Sequence, residues 1–160
     1  MPVPAVISDY LADHHVHYTV IRHKAAYTAQ ESAAVTHVPG REWAKAVVCI
    51  ADNKPVIAVL PAHRDVHLDL LRHYLGARSI RLATESEFAP LYKGCEPGAV
   101  PPFGPLYDQR VVVDTSLTAD PEIVFNAGSH RDAIRMRYSD FVTLVHPTVA
   151  DFGIPSAPIA

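Results

Sequence analysis

Lys45 lies inside an apolar segment, residues 43–48 (WAKAVV), that has the composition of a strand. A period of two places its side chain on the same face as Trp43, Val47 and Cys49. A fixed cation at the mouth of a pocket could hold a phosphate or a developing oxyanion. The pattern equally fits an edge-strand lysine whose stem covers apolar surface while its ammonium reaches water. The residues alone leave both interpretations open.

A glycine- and proline-rich segment, residues 98–104 (GAVPPFG), lies within a long loop over 93–109 that shows no periodicity. Glycine permits close approach of the backbone to a ligand, and proline fixes the loop without donating a hydrogen bond. A rigid loop with exposed amides could bind a carbonyl or carboxylate, although a proline-rich surface crossover is the alternative. Gly98 is a candidate catalytic residue here, and the candidate substrate contacts are Ala99, Val100, Pro101, Pro102 and Phe103.

A polar turn, Asn126-Ala127-Gly128-Ser129-His130, follows an apolar strand, a position where side chains often line a site. His130 could orient a substrate or transfer a proton, because imidazole titrates near neutrality. Asn126, Gly128 and Ser129 are candidate substrate contacts beside it. An ordinary surface histidine in a turn is the competing interpretation.

Other chemistries find little support in the sequence. The ten histidines include His63 and His67, but no set has the cysteine or carboxylate spacing of a zinc site, so we expect no metal and no cofactor. There is no Walker A motif, no GxGxxG after a strand and no GxSxG elbow. Cys49 lies among apolar residues of a strand, where a thiol is usually inert packing.

The formal net charge of −3 at pH 7 excludes a generally basic nucleic-acid coat protein, and we expect no DNA binding. Two segments are locally basic, at 61–81 and 130–137. The first contains Arg64, Arg72, Arg78 and Arg81, and the second contains Arg131, Arg135 and Arg137. Such patches could contact phosphates, or they could be ordinary solvated faces.

The elements that must position these residues follow from periodicity and turn signals. Helices are expected at 4–15, 28–35, 65–75, 84–92 and 138–145. Strands are expected at 16–22, 42–51, 54–60, 110–114, 122–126 and near 133–136. Asp52-Asn53 should close a hairpin, and Gly76 should end the third helix, whose inward residues would be Val66, Leu70, Leu71 and Tyr74. The tail from Pro147 is expected to be a loosely docked coil.

These elements predict one mixed α/β (α+β) domain over residues 1–160. The length of 160 residues is enough for a core without disulfide or metal support, and no apolar run is long enough to cross a bilayer. The start of the chain lacks the features of a signal peptide, and the two cysteines form no CxxC pair. We therefore expect a cytoplasmic protein that does not bind membranes.

Taken together, these segments resemble the YbaK/prolyl-tRNA synthetase-associated domain family. The resemblance rests on Lys45 in an early strand, on residues 59–77 (VLPAHRDVHLDLLRHYLGA), on 96–104 (EPGAVPPFG), and on the ordered ending VVVD…IVFNAGSH…DFVTLVHP. It covers about residues 5–152. It implies a mixed α/β domain around a curved, barrel-like sheet, and an aminoacyl-tRNA deacylase that hydrolyses mischarged tRNA, notably proline tRNA.

The resemblance also implies roles for individual residues. Lys45 matches the family's essential lysine, which is expected to hold the phosphate of the 3′-terminal adenosine. Residues 98–102 match its GxxxP loop, whose backbone positions the aminoacyl carbonyl, and Gly128 and His130 match its later glycine and histidine. Members use no metal, and the 2′-hydroxyl of the tRNA often assists. A protein nucleophile is then unnecessary, because positioning and oxyanion stabilisation suffice for ester hydrolysis.

One departure concerns specificity. In the alanine-specific branch an asparagine is expected directly after the lysine, whereas this chain has Ala46, so alanine specificity is not carried over. Two hypotheses follow. The first is a stand-alone trans-editing deacylase that takes the acceptor end of tRNA-Pro charged with a small non-cognate amino acid, and that can dock on an aminoacyl-tRNA synthetase. The second is a non-catalytic module of the same fold that binds aminoacyl-tRNA, a nucleotide or a protein partner.

Overall fold

A computed structural model describes residues 3–156, and this part of the chain contains five α-helices and ten β-strands. The helices are α1 (Ala5–Asp13), α2 (Ala29–Val35), α3 (Leu68–Leu75), α4 (Glu85–Phe88) and α5 (Tyr138–Val145). The strands are β1 (Tyr18–Arg22), β2 (Ala44–Ala51), β3 (Lys54–Pro61), β4 (Arg64–Val66), β5 (Ile80–Leu82), β6 (Arg110–Asp114), β7 (Glu122–Asn126), β8 (Asp132–Arg137), β9 (Thr148–Ala150) and β10 (Gly153–Pro155). Short 3₁₀ turns lie at Ala89–Leu91, Gly104–Tyr107 and Thr115–Leu117.

The strands form three sheets. A five-stranded mixed sheet has the order β5-β2-β3-β6-β9, a three-stranded antiparallel sheet has the order β1-β8-β7, and β4 pairs with β10. The two larger sheets meet at an isolated bridge between Trp43 and Val124, where the Val124 N–H donates to the Glu42 carbonyl at 3.0 Å. This arrangement confirms the predicted mixed α/β class. The sheets remain open within residues 3–156 rather than closing into a barrel.

The predicted hairpin is confirmed over β2 and β3, which pair antiparallel from Ala44 opposite Pro61 to Ala51 opposite Lys54. Asp52 and Asn53 at its tip have φ values of 47° and 67°. These left-handed conformations suit a two-residue hairpin turn, and Asp and Asn tolerate them better than most residues. The hairpin fixes the register of β2 and therefore the height of Lys45 in the sheet.

The main core lies between the two larger sheets and helices α1 and α5. It contains Phe103, Phe125 and Phe141, each fully buried, and it takes Ala44 and Val48 from one face of β2. Cys49 belongs to a second apolar cluster on the other face, together with Leu71 and Phe152. Both faces of β2 are therefore covered, as its continuous apolar sequence requires.

The predicted helix over 65–75 is wrong at its start. Residues Arg64–Val66 form β4, and α3 begins only after His67, whose Nδ1 accepts a hydrogen bond from the Leu70 N–H at 3.1 Å. Of the four residues predicted to face inward, Leu71 is fully buried, Val66 lies in β4, and Leu70 and Tyr74 are 41% and 50% exposed. Gly76 ends the helix at φ 65°, as predicted.

The expectation of a loosely docked tail from Pro147 is also wrong. The tail forms β9, which pairs parallel with β6, and β10, which pairs antiparallel with β4. Phe152 between them is fully buried. The buried Asp114 carboxylate accepts hydrogen bonds from the N–H groups of Phe152 and Gly153, at 3.0 and 2.7 Å. Residues 157–160 of that predicted coil lie outside the described residues.

The helix predicted over 84–92, before the long loop, is shorter than expected. Thr84 and Glu87 form the expected capping box, but α4 ends at Phe88 and gives way to a 3₁₀ turn that contains Pro90. Strand β5, which the sequence analysis missed, pairs with Cys49–Ala51 at one end of β2. The other end of β2, around Lys45, therefore has no β5 neighbour.

Candidate active site

Lys45 opens onto a cleft of about 730 Å³, the lysine cleft. Its walls include Thr28, Gln30, Glu31, Lys45, Asp65 and Ser156. The Lys45 side chain is 21% exposed, and its Nζ lies 3.3 Å from Oδ1 of Asp65, which is 57% exposed. The stem of Lys45 is thus packed while its ammonium faces the cleft. The packed stem expected of an edge-strand lysine and the cation expected at the mouth of a pocket are therefore both present. The cation can meet an anion that enters the cleft.

The glycine loop, residues 96–103, is held in place by backbone hydrogen bonds to the turn before β8. The Glu96 N–H donates to the Gly128 carbonyl at 2.8 Å, and the Gly128 N–H donates to the Ala99 carbonyl at 3.0 Å. Within the loop the Ala99 N–H donates to the Glu96 carbonyl at 3.0 Å. The N–H groups of Gly98 and Val100 have no acceptor among residues 3–156. Gly98 is exposed whereas Val100 is buried, so the Gly98 N–H is the free amide of this loop that a ligand can reach.

Two glycines make this arrangement possible. Gly98 has φ 83° and Gly128 has φ 94°, conformations that residues with a Cβ rarely adopt. A Cβ on Gly128 would lie 2.8 Å from ring carbons of Pro4, and a Cβ on Gly98 would lie 3.4 Å from Cε1 of His130. Gly128 thus lets the chain approach α1, and Gly98 lets the loop approach the histidine.

His130 packs directly against the glycine loop. Its Nε2 lies 2.8 Å from the Pro97 carbonyl. Because a carbonyl can only accept, this bond requires the proton on Nε2, and it leaves the lone pair of a neutral imidazole on Nδ1. Nδ1 is buried and has no hydrogen-bond partner among the described residues. The side chain is therefore fixed in ring orientation and in tautomer, as a positioning group must be.

Tyr27 and Thr28 connect the lysine cleft to the histidine, and sequence reasoning missed both. The Ala26 N–H donates to the His130 carbonyl at 3.2 Å, and the Tyr27 ring lies 4.8 Å from the His130 ring. The next residue, Thr28, lines the lysine cleft and also caps α2 through Glu31. Tyr27 is 71% exposed, so an aromatic face is open to solvent beside the histidine. Only the capping signal at Thr28 was visible in the sequence.

Several predicted substrate contacts are turned into the protein. Phe103 is fully buried between Tyr10 and Phe125, and Val100 is 6% exposed in the same core. Ala99, Pro101 and Pro102 are buried as well. Residues 99–103 therefore anchor the glycine loop in the core, and only Glu96, Pro97 and Gly98 of the loop are exposed.

Ser129 and Asn126, two polar residues of the turn before β8, differ in whether their side chains form hydrogen bonds. The Ser129 hydroxyl donates to Asp132 at 2.7 Å and accepts from two backbone N–H groups, so its hydrogen-bonding capacity stabilises the turn. Asn126 is partly exposed, and its Oδ1 is buried with no partner among the described residues.

The comparisons with known proteins identify the family of this chain. A family model for the aminoacyl-tRNA editing domain matches residues 23–144. The chain belongs to that family. The match begins at the segment that contacts His130, includes Lys45 and the glycine loop, and ends within α5. It confirms the resemblance stated from the sequence.

Two curated proteins are similar to this editing domain in sequence, and one solved structure is similar to it in fold. Multifunctional Ser/Thr-tRNA deacylase ProXp-y of Escherichia coli (strain K12) is 28% identical over 140 residues, which cover 84% of this chain and 83% of that protein. Proline–tRNA ligase of Nitratidesulfovibrio vulgaris is 33% identical over 95 residues, or 59% of this chain, but this is only 16% of the ligase. A crystal structure described as a candidate trans-editing enzyme for prolyl tRNA synthetase has a TM-score of 0.81 at 22% identity, covering 98% of this chain and 99% of that one.

Neither cysteine of the editing domain is suited to act as a nucleophile. Burial raises the pKa of the Cys49 thiol to about 11, and burial also raises that of Cys95, although a contact with the Tyr107 hydroxyl opposes the effect. Both thiols are therefore protonated at neutral pH. Among residues 3–156, no group of three or more His, Cys, Asp or Glu side chains is placed to hold a metal ion. No helix in that range is long and apolar enough to cross a membrane.

The first basic patch of the sequence analysis is largely used within the protein. Arg81 binds Glu87 through two hydrogen bonds of 2.6 and 2.7 Å, and Arg72 lies 3.2 Å from Asp69. Arg64 donates to the Gly153 carbonyl at 3.1 Å. These guanidinium groups hold loops and the tail together, which weakens the case for that patch as a phosphate-binding surface.

The second patch contributes to a surface beside the site that we call the basic edge, formed by Arg22, Lys24 and Arg131. The His23 N–H donates to the Arg131 carbonyl at 2.9 Å, so the segments adjoin. Arg22 is paired with Asp132 at 3.2 Å, while exposed Lys24 and Arg131 have no acidic partner among the described residues. A cleft of about 580 Å³ lies along Arg22 and Lys24, and no Asp or Glu lines it.

Proposed function

We propose that this editing domain hydrolyses the ester bond of mischarged aminoacyl-tRNA, and that its substrate is tRNA-Pro carrying a small non-cognate amino acid. Membership of the family and similarity to a protein named as a Ser/Thr-tRNA deacylase support the reaction. Similarity to a segment of proline–tRNA ligase supports the choice of tRNA. Since charged tRNA is used at the ribosome, we place this activity in the cytoplasm. Docking on an aminoacyl-tRNA synthetase is one way for the protein to meet mischarged tRNA.

The observation that carries the proposal is the placement of a glycine loop with a free amide against His130, joined through Tyr27 and Thr28 to the lysine cleft. An aminoacylated terminal adenosine has a phosphate at one end and an ester carbonyl at the other. Lys45 supplies a cation for the phosphate. The exposed Gly98 N–H supplies a donor for the carbonyl oxygen. The two halves of the site thus match the two charged or polar ends of the substrate.

The chemistry requires no protein nucleophile. A water molecule attacks the ester carbon, and the carbonyl oxygen gains negative charge that the Gly98 N–H stabilises. The bond from the carbon to the 3′-oxygen of ribose then breaks, and that oxygen takes up a proton, leaving free amino acid and tRNA. The vicinal 2′-hydroxyl assists by hydrogen bonding, as the family resemblance implies. His130 orients the substrate by holding the glycine loop, because its Nε2–H donates to the Pro97 carbonyl at 2.8 Å.

The basic edge is suited to the strand that leads into the site. Lys24 and Arg131 lie on the two segments that carry Tyr27 and His130, so a tRNA whose 3′ end occupies the site would pass its acceptor phosphates near them. Lysine and arginine contacts with phosphate are independent of sequence and supply affinity. A protein with a net charge of −3 can bind nucleic acid through such a local surface.

The proposal is tested by deacylation of tRNA-Pro charged separately with alanine, serine and cysteine. Wild-type protein should release one or more of these amino acids. The Lys45→Ala variant should lose most of that activity, whereas Lys54→Ala should retain it, because Lys54 is exposed on the neighbouring strand away from the lysine cleft. Equal activity in both variants would contradict the role of Lys45. Tight binding of these tRNAs without release would favour a non-catalytic binding module.

A further inference from the structure

We infer that Glu96 binds the α-ammonium group of the aminoacyl ester and so makes the site specific for substrates with a free amino group. The inference rests on the proposed function. It assigns a specificity-determining residue to a position that the sequence analysis passed over, two residues before the GxxxP segment.

Glu96 is anchored by its backbone at the edge of the site. Its N–H and carbonyl both form hydrogen bonds, to Gly128 at 2.8 Å and from Ala99 at 3.0 Å, so the residue is not free to move with a mobile loop. Its carboxylate Oε2 accepts from the His130 N–H at 3.4 Å and lies 4.0 Å from Nε2 of the His130 ring. The carboxylate is thus held beside the same imidazole that contacts Gly98.

The carboxylate is nevertheless open to a ligand. The Glu96 side chain is 46% exposed, and no lysine or arginine within residues 3–156 pairs with it. Its Oε1 has no hydrogen bond to the described residues. A negative charge without a fixed counter-ion therefore stands at the loop end of the site, opposite in sign to the ammonium of Lys45 in the lysine cleft.

The covalent geometry of the substrate brings its amino group to this charge. The α-nitrogen of an amino acid lies about 2.5 Å from its carbonyl carbon, because N–Cα and Cα–C are about 1.5 Å bonds at an angle near 111°. When the Gly98 N–H holds the carbonyl oxygen, the ammonium must lie within a few ångströms of the glycine loop. Glu96 is the carboxylate that belongs to that loop, and charge-assisted hydrogen bonds are shorter and stronger than neutral ones.

This contact has a consequence for substrate class. Peptidyl-tRNA and other N-acylated esters carry a neutral amide in place of the ammonium. They cannot neutralise Glu96, and the carboxylate would have to be partly desolvated without compensation. The site would then hydrolyse mischarged aminoacyl-tRNA while sparing the growing peptide chain on its tRNA.

The test compares two enzymes on two substrates. Alanyl- or seryl-tRNA-Pro, whichever is released faster, is assayed with its α-hydroxyacyl counterpart, prepared by nitrous acid deamination, in which a hydroxyl replaces the ammonium. Wild-type protein and Glu96→Gln are compared by kcat/KM. We expect the preference of the wild type for the amino ester to fall by about 10- to 100-fold in Glu96→Gln, the range for one hydrogen bond to a charged group. Asp65→Asn serves as the control carboxylate and should leave that preference unchanged.

Each outcome is decisive. If Glu96→Gln lowers the rates on both esters by the same factor, Glu96 only holds His130 in place and the inference is wrong. If Asp65→Asn removes the preference instead, the ammonium binds in the lysine cleft, and the inference is again wrong. Failure of the wild type to hydrolyse either ester overturns the proposed function itself. This outcome differs from the first two, which overturn only the role of Glu96.

Discussion

Replacing Gly98 and Gly94 by alanine, one at a time, separates the stability of the long loop from its function. The two glycines have nearly the same backbone conformation, with φ values of 83° and 84°. A Cβ on Gly94 would approach Cβ of Pro4 at 3.9 Å, an ordinary contact, whereas a Cβ on Gly98 would approach Cε1 of His130 at 3.4 Å. The substitutions therefore carry the same backbone strain but differ in what the new methyl group meets.

The expected magnitudes follow from these distances. A left-handed conformation costs a residue with a Cβ about 1–2 kcal/mol, and the smaller conformational entropy of the unfolded chain offsets about 0.4–1 kcal/mol of this. At the middle of both ranges, each variant should lose about 0.8 kcal/mol of unfolding free energy. With an m value of about 1–3 kcal/mol/M in urea, both midpoints should fall by roughly 0.3–0.8 M. Only in Gly98→Ala does the new methyl group lie against His130, so relief of the backbone strain at that position displaces the groups of the site.

Activity should therefore distinguish the two variants. Small displacements of positioning groups can cost up to about 100-fold in rate, so we expect kcat/KM of Gly98→Ala to fall by about 10- to 100-fold. Gly94→Ala should keep activity near that of the wild type. The assays are urea unfolding followed by circular dichroism, and release of labelled amino acid from mischarged tRNA-Pro. A Gly98→Ala protein that folds like Gly94→Ala and hydrolyses like the wild type would refute the placement of the carbonyl at this loop.

Three further outcomes are expected. Asp114→Asn should lose about 2–4 kcal/mol of unfolding free energy, because an amide cannot accept from all the donors that surround the buried carboxylate, while Asp151→Asn, exposed in the same tail, should lose little in the same urea titration. Burial alone would raise the Asp114 pKa, but hydrogen bonds from Ser116 and from the tail outweigh it and lower the pKa below 3.8. The stabilisation by this carboxylate is therefore present above that pH and should be lost as pH falls through the folded-state pKa. The difference in unfolding free energy between wild type and Asp114→Asn should then vanish in acid. Lys24→Ala/Arg131→Ala should raise KM for mischarged tRNA-Pro, reduce its salt slope by about 1–2, and leave hydrolysis of aminoacyl-adenosine unchanged; an equal loss on both substrates would contradict the basic edge.

The elements that the sequence predicted well are those with local signals. Asp52-Asn53 between two apolar runs predicted the hairpin, and Thr84 with Glu87 predicted the capping box, because both structures depend on a few adjacent residues. Strands β4 and β10 were missed for the opposite reason. Each has three residues, and pairs such as Asp65 with Ile154 join positions far apart in the chain. No periodicity develops over three residues, so pairing partners so distant cannot be read from either segment alone.

The candidate site likewise combines features with local sequence signals and features that depend on contacts between distant residues. The glycine loop and the turn at His130 were visible as separate motifs, because glycine and proline signal unusual backbone. Their contact through Gly128 is a tertiary hydrogen-bond pattern that no spacing reveals. Tyr27 and Glu96 were passed over, since an exposed tyrosine and a loop glutamate have ordinary surroundings in sequence. Phe103 was expected near substrate because of its motif, but an aromatic ring of that size is more stable in the core, where it contacts Phe125.

The most direct test of the account is the release of amino acid from correctly and incorrectly charged tRNA-Pro by the purified wild-type protein. Prolyl-tRNA-Pro and tRNA-Pro charged with alanine, serine or cysteine are incubated in parallel, and the remaining ester is measured over time. The account predicts rapid loss of at least one non-cognate ester and little loss of the prolyl ester. Equal persistence of all esters with and without the protein would contradict it, as would hydrolysis of prolyl-tRNA-Pro as fast as the others.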